Sequence, residues 1–410
     1  MDTAINSEAS QARNRPEVGK MEHLAWPTRL AEVPKEVFVR PDIFEAELNR
    51  IFYSNEWLVV GHQAEVPKNG DFKTYTLGKV PLLITRDKQG EVHVFYNSCT
   101  HRSTQIETAT RGNRKAFNCP YHRWGFAATG ELIGTPNRPG DFPESFDRKD
   151  YALRSPHYAF VHGLIFVCLG ASPPPIEQYL DGITDQIAAA LGGDGNLVLL
   201  GYQKVIYRAN WKTFADNCNY HAGLLHTAFR LLNWSGGKGV QTANARGQRG
   251  HTSEISLPKT TELLNDPSII SLRSHSDAQK GSVNVRFFPL SGISRHMDSI
   301  NIRFANALSL DETEVHYAYF ARAEDSEELI EHRVRQASNL LGPSGMVSME
   351  DAAVFHRVHV GSHTPGVAVF LKGVTDANTM PDTFGQADES ANMPFWEYYR
   401  ALMGFEREQP

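Results

Sequence analysis

Nowhere in the 410 residues do ~18 apolar side chains run uninterrupted, the length a membrane-crossing helix needs. The first 35 residues also lack the short apolar core of a secretory signal. Together these absences predict a soluble, cytoplasmic protein that makes no use of a membrane. Positive charge is not in surplus either: 41 basic against 47 acidic side chains give a formal charge of −6, so no net field holds a phosphate backbone and nucleic acid is not an expected partner. Cysteine is scarce. Cys99, Cys119, Cys168 and Cys218 are too few to staple a disulfide scaffold, and suit metal binding or packing instead.

What is present is enough apolar material, 41% of the chain, to give a core to each of two or three domains. After a polar, charge-mixed start, Pro41 opens an amphipathic helix whose buried face is Ile43, Phe44, Leu48, Ile51 and Phe52. From Trp57 to about Gly170 short apolar runs (80–85, 92–96, 164–169) alternate with Gly, Asn and Pro, the pattern of a small β domain. Beyond Pro173–Pro175, helical periodicity (176–191, 211–232, 327–341) mixes with strand-like runs (283–288, 299–308, 315–320), which predicts an α+β domain. Residues 236–275 are polar with little periodicity and read as a functional loop or lid. No internal repeat is visible.

Two clusters carry chemistry. In the first, Cys99-Thr100-His101 and Cys119-Pro120-Tyr121-His122 supply two thiolates and two imidazoles on two short loops. A Cys2His2 zinc site and a Rieske [2Fe–2S] cluster both use such donors. Cys-x-His is short for zinc, and Pro120, Tyr121, Trp124 and Gly125 shield the second loop as an exposed cluster requires, so the spacing favours the cluster. Exchanging two thiolates for neutral imidazoles raises the potential of one iron, and the second ring nitrogen of each histidine can point an electron path outward. Such an outlet implies another redox centre.

The second cluster runs from Asn210-Trp211-Lys212 to His226. His221 and His226 lie five residues apart, ~140° around an ideal helix, so both meet one metal only if the helix bends, for which Gly223 is well placed. A mononuclear iron that activates dioxygen takes two histidines and a carboxylate, so a third ligand has to come from elsewhere. Far downstream, Gly342-Pro343-Ser344-Gly345 leads to Glu350-Asp351, adjacent carboxylates at a helix start, which could equally serve as a cap.

These residues together resemble the α subunits of Rieske non-haem iron ring-hydroxylating oxygenases, and the likeness extends over nearly the whole chain. The strings Tyr220-His221-Ala222-Gly223-Leu224-Leu225-His226-Thr227 and Arg335-Gln336-Ala337-Ser338-Asn339-Leu340-Leu341-Gly342-Pro343-Ser344-Gly345 look most like terephthalate dioxygenases and salicylate 5-hydroxylases. The resemblance implies His221, His226 and Asp351 as iron ligands, with Glu350 the neighbouring alternative. It also implies an α+β fold in which a Rieske β domain (residues 56–172) is inserted into a helix-grip, START-like catalytic domain built on an antiparallel sheet (residues 1–55 and 173–410). The active form it implies is a homotrimer or α3β3 assembly with a small β subunit, one chain's cluster facing the next chain's iron. No flavin or nicotinamide motif occurs, so NADH-derived electrons are expected through a separate ferredoxin or flavin reductase, with O2 and an aromatic compound as substrates. The family also includes monooxygenases and demethylases.

Two departures stand out. The family places an acid three positions before the first iron-binding histidine; here that position is Cys218, and the interval from Asn210 to His221 is two residues short. Asp216 or Asn219, beside Asn217, is expected to take over the orienting hydrogen bond, and without it the protein would bind metals and aromatic ligands but transfer electrons slowly. Serine also stands at Ser103 where the family usually has glycine. A carboxylated arene needs an apolar slot and a cation. Arg303 on the 299–308 run is the candidate clamp, as in the terephthalate and salicylate relatives, with Phe287, Phe288, Leu224 and Phe229 as candidate slot residues. Cys168, in an apolar run, is expected in the core.

Overall fold

The computed structural model describes residues 21–136, 140–192, 196–217, 227–231, 238–254, 262, 264–274, 281–386 and 388–408. Two compact units form: Tyr53–Pro173, and the described parts of Pro16–Phe52 with Pro174–Pro410. None of the described helices is long and apolar enough to cross a membrane.

The first unit is built from antiparallel strands. Four of them, in the order Val92–Tyr96, Val80–Arg86, Asp71–Leu77 and Arg111–Asn113, make one sheet. Phe117–Asn118, Gly125–Phe126 and Leu132–Gly134 make a second, and His157–Val161, Leu164–Cys168 and Leu58–His62 a third. The strands at 80–86, 92–96 and 164–168 follow the apolar runs, because β-branched and aromatic residues fit a half-buried pleat. Cys168 is fully buried in its strand, as its apolar neighbours dictate.

In the second unit eight described strands form one antiparallel sheet: β1 (Leu197–Tyr207), β2 (Gly239–Ala243), β3 (Arg249–Ser253), β4 (Ser282–Phe287), β5 (Ser291–His296), β6 (Ser299–Ala307), β7 (Thr313–Arg322) and β8 (Phe384–Gly385). Their spatial order is β1-β7-β6-β5-β4-β3-β2-β8. Its helices are α1 (Pro41–Glu47), α2 (Ile176–Tyr179), α3 (Thr184–Ala190), α4 (Trp211–Asp216), α5 (Thr227–Leu231), α6 (Glu327–Gln336), α7 (Met346–Gly361) and α8 (Asn392–Met403).

The two faces of this sheet differ in chemistry. One carries Val285, Ile293, Ile302 and Ala318 in a cross-strand row, all fully buried, and α3 joins it through Gln186, whose amide donates to Thr242. The other carries the row Arg249, Arg286, Gly292, Arg303, Tyr317 and Gln203, followed by His251, Asn284, Ser294, Asn301 and Tyr319. Helices α4 and α7 lie toward this polar face, since Phe214 of α4 sits under Arg286 and Phe355 of α7 meets Tyr207 edge to face.

Several sequence expectations change here. The 176–191 helix is two short helices, because the backbone turns through a left-handed glycine, Gly182, between them. The 211–232 stretch begins with α4, which stops at Asp216, and resumes as α5 at Thr227. The polar 236–275 stretch is in part not a loop: it contributes β2 and β3 to the sheet. Its periodicity is hidden because the buried side chains of β3 are Arg249, His251 and Ser253 rather than apolar ones.

One buried carboxylate ties the second unit together. Glu47, at the end of α1, accepts Lys212 Nζ at 2.6 Å and Trp211 Nε1 at 2.7 Å, and also the Tyr399 hydroxyl of α8. Both charged side chains of the Glu47–Lys212 pair are wholly buried. Asn210 caps α4 by accepting the Lys212 amide at 3.1 Å, so Asn210-Trp211-Lys212 is a docking device for this helix.

Candidate functional site

In the first unit the two cysteine loops close in the same way. The Cys99 amide donates to the Thr104 carbonyl at 2.8 Å and the Ser103 amide to the Cys99 carbonyl at 2.9 Å; Cys119 and Trp124, then Arg123 and Cys119, repeat this at 2.8 and 3.0 Å. Each loop turns through a left-handed residue at the fourth position after its cysteine, Ser103 (φ 56°) and Arg123 (φ 59°). The sulfurs are consequently drawn inward and the imidazoles outward. Cys99 and Cys119 are buried among Phe72, Phe95, Phe117 and Phe126, and their thiols hydrogen-bond to each other. His101 is exposed, stacked on buried Trp124 at 4.7 Å and 8°, and its ring centroid lies 4.7 Å from that of His122.

The four donors therefore segregate into a sulfur pair and an imidazole pair. That two-plus-two arrangement fits a two-iron cluster better than one tetrahedral zinc. Burial raises the Cys99 thiol above its ordinary value. At Cys119 burial acts in the same sense, but the amides of His122 and Tyr121 donating to sulfur hold the thiol below it. Amides aimed at sulfur stabilise its anionic, metal-binding form.

Ser103 explains its own departure from glycine only as a strained substitute: a left-handed backbone disfavours any residue with a Cβ. Ser103→Gly is expected to raise the urea stability of this unit by about 0.5–1 kcal/mol with the cluster's absorbance unchanged, net of the extra freedom of glycine in the unfolded chain.

In the second unit the turn before α7 is shaped by close approach. A Cβ on Gly342 would lie 2.3 Å from the Tyr319 hydroxyl and 2.4 Å from Gln203 Oε1, so only glycine fits. Helix α7 starts at Met346, with Gly345 as its cap, so Glu350 and Asp351 lie inside the helix and neither is a capping acid. Glu350 instead accepts the amide of Thr227, the first residue of α5, at 2.6 Å. This bond draws the residue that follows His226 in the chain to the Glu350-Asp351 pair.

Asp351 acts electrostatically on Tyr207, whose hydroxyl is 2.9 Å from that of Tyr317. Burial, then Tyr317, raises the Tyr207 phenol, so it stays protonated. Around this pair Tyr207 stacks on Phe214 at 5.8 Å and Phe355 closes the group. Arg303 lies over the Tyr317 ring at 5.1 Å, and its Nε donates to Asn301 Oδ1 at 3.1 Å. Arg303 makes no ion pair among the described residues.

Asp216 ends α4 inside the same unit. It accepts Trp396 Nε1 at 3.1 Å beside Arg249, and burial raises its carboxyl to about 6 against the opposing pull of Arg249 and Trp396. Asn217 caps the C-terminus of α4, its amide on the Thr213 carbonyl at 3.3 Å. Cys218, Asn219, His221, Gly223, Leu224 and His226, and the Phe229 side chain, lie outside the described residues.

The slot expected from Phe287 and Phe288 is not where they are. Phe287 alternates with Arg286 onto the apolar face, and Phe288 packs on Phe395 and Tyr398 of α8. Tyr207, Phe214, Tyr317 and Phe355 surround the Asp351–Arg303 region instead. Strand alternation could have found Tyr317, two residues from Tyr319 and in the same phase; Phe214 and Phe355 carry no such signal, since helical aromatics are usually core.

The family model described as "Rieske [2Fe-2S] domain" matches residues 56–149, and that described as "Ring hydroxylating alpha subunit (catalytic domain)" matches residues 193–404. Similar curated proteins include the large oxygenase component of salicylate 5-hydroxylase from Ralstonia sp., 28% identical over 92% of this chain and 96% of that one. The large subunit of anthranilate 1,2-dioxygenase from Burkholderia cepacia is 29% identical over 92% and 94%. Among solved structures, naphthalene 1,2-dioxygenase from Rhodococcus sp. bound to indole shares the fold with a TM-score of 0.77 at 23% identity, over 91% of this chain and 94% of that one. A quaternary ammonium Rieske monooxygenase gives a TM-score of 0.72 at 19% identity, over 93% and 99%.

Proposed function

Because the chain belongs to the family of ring-hydroxylating alpha subunits and carries a Rieske [2Fe–2S] domain, we propose that it oxygenates a carboxylated arene as the terminal component of a multicomponent system. It is an oxidoreductase whose electrons arrive from a separate reductase. When bound, the cluster and a mononuclear non-haem Fe(II) supply the electrons and the dioxygen activation for ring oxygenation, NADH contributing only through the reductase.

Cys99 and Cys119 would hold one iron of the cluster, and His101 and His122 the other. His221, His226 and Asp351 would hold the mononuclear iron, while Glu350 holds α5 in place through Thr227. Asp216, fixed by Trp396, would steady the segment leading to His221, a task for which Asn219 is the second candidate. Tyr207, kept protonated by burial, and Tyr317, hydrogen-bonded to it, exclude water and orient the ring. We read the active form as a homotrimer, with or without a small second subunit, in which the outward imidazoles of one copy would face the iron site of its neighbour.

The observation that carries the substrate reading is Arg303. A half-buried guanidinium on an interior sheet face, paired among the described residues with Asn301 and an aromatic ring and with no carboxylate, calls for an anion from outside the protein. The test is single turnover of the chemically reduced, iron-loaded protein with salicylate, terephthalate, benzoate and toluene. Hydroxylated product from the carboxylates without reductase is expected; binding with no product would mean a ligand-binding protein. Arg303→Gln should weaken benzoate by roughly 10–150-fold, the loss of a charged hydrogen bond of about 1.5–3 kcal/mol, and leave toluene unchanged.

A further inference from the structure

We propose that Asn301 is a substrate-binding residue that completes the anion clamp with Arg303, so that this site selects arenes bearing a carboxylate rather than any aromatic ring; the inference rests on the carboxylate reading above. The two residues are separated by one position on β6 and therefore face the same way. Asn301 is fully buried, and its Oδ1 accepts Arg303 Nε at 3.1 Å. That bond also orients the amide, because a guanidinium Nε can only donate, so the atom facing it has to be the oxygen. Nδ2 is then directed elsewhere, and it is buried without a hydrogen-bond partner among the described residues.

Neighbouring side chains are committed to other partners. Across β5, Ser294 Oγ donates to Asn284 Oδ1 at 2.5 Å; across β7, the Tyr319 hydroxyl donates to Gln203 Oε1 at 2.7 Å. A buried amide N–H2 left unsatisfied destabilises the folded protein, and it is retained where a ligand supplies the acceptor. The acceptor that suits both the amide and the adjacent guanidinium is a carboxylate, whose two oxygens offer about four lone-pair sites. One oxygen would take the guanidinium and the other the amide. A hydrocarbon ring would satisfy neither, so the pair discriminates by strengthening the binding of benzoate-like compounds alone.

The test uses the iron-loaded full-length protein, anaerobic, with benzoate and toluene as probes and titration calorimetry as the readout. Asn301→Asp keeps an oxygen for Arg303 Nε but removes the amide donor and adds a competing negative charge; Asn301→Ser removes the donor without adding charge. Both should bind benzoate at least 10-fold more weakly with toluene affinity within 2-fold, and the reduced-cluster resonance should be intact. Wild-type benzoate affinity in both variants, as expected if Nδ2 holds only a structural water, overturns the inference. Equal loss of both probes overturns it too, as a sign that Asn301 merely packs. If Arg303→Gln selectively weakens benzoate while the Asn301 variants do not, the carboxylate reading stands and the Asn301 role alone fails. If the wild type binds benzoate no better than toluene and Arg303→Gln alters neither, the carboxylate reading fails first.

Discussion

Turnover in Asp351→Asn should fall by more than about 100-fold, beyond the 10–100-fold typical of losing an outer partner of a metal ligand, with the cluster's visible absorbance unchanged. A neutral amide is a poor third ligand where two imidazoles already lack charge, so iron content should drop from three per chain toward two. Glu350→Gln tests the neighbouring acid. Its carboxylate accepts the Thr227 amide at 2.6 Å, so the variant loses a charge-assisted bond that anchors α5 and should show a smaller decline in rate, with iron content near normal at saturating Fe(II). Metal analysis by mass spectrometry alongside single-turnover rates separates the two acids. Full iron and wild-type rates in Asp351→Asn, with loss of both in Glu350→Gln, would reverse the assignment.

The largest effect on stability is expected at Glu47. Removing it as Glu47→Leu strands Lys212, fully buried, together with the Trp211 N–H and the Tyr399 hydroxyl. Breaking a buried pair from one side typically destabilises by about 3–5 kcal/mol. The double variant Glu47→Leu/Lys212→Met should recover much of that, because the stranded charge is gone and the packing volume is kept. Urea unfolding followed by far-ultraviolet circular dichroism measures both. A double variant no better than the single would show that the two stranded donors, Trp211 Nε1 and the Tyr399 hydroxyl, dominate rather than the charge. The consequence reaches the site, since Lys212 and Trp211 begin the helix that ends in Asp216.

Much of the chemistry is legible in the sequence alone. Two thiols and two imidazoles at short spacing are donor chemistry whatever the fold, and the paired loops close as the hairpin spacing suggests. Arg303 was also accessible, because alternation alone separates it from Ile300 and Ile302. The aromatic slot was not. Phe287 and Phe288 look suitable in sequence, yet one points to the apolar face and the other packs against α8. Period-two reading locates a side chain relative to its own strand, but which face receives α4 and α7 depends on helices far away in the chain.

The polar 236–275 stretch marks the same boundary from the other side. Strands β2 and β3 carry no strand signature in sequence because the polar face of the sheet buries Arg249, His251 and Ser253, which erases the hydrophobic signal on which strand recognition depends. The sequence by itself determined the donor sets, the glycine-proline turn before α7 and the cation on β6, since these follow from side-chain chemistry and local backbone geometry. Only the tertiary structure decided that Glu350 serves α5, that Asp216 turns to Trp396, and that Asn301 stands beside Arg303 with a buried amide that finds no acceptor among the described residues. Those are outcomes of packing between distant segments, and a linear order of residues does not encode which buried polar group finds a partner.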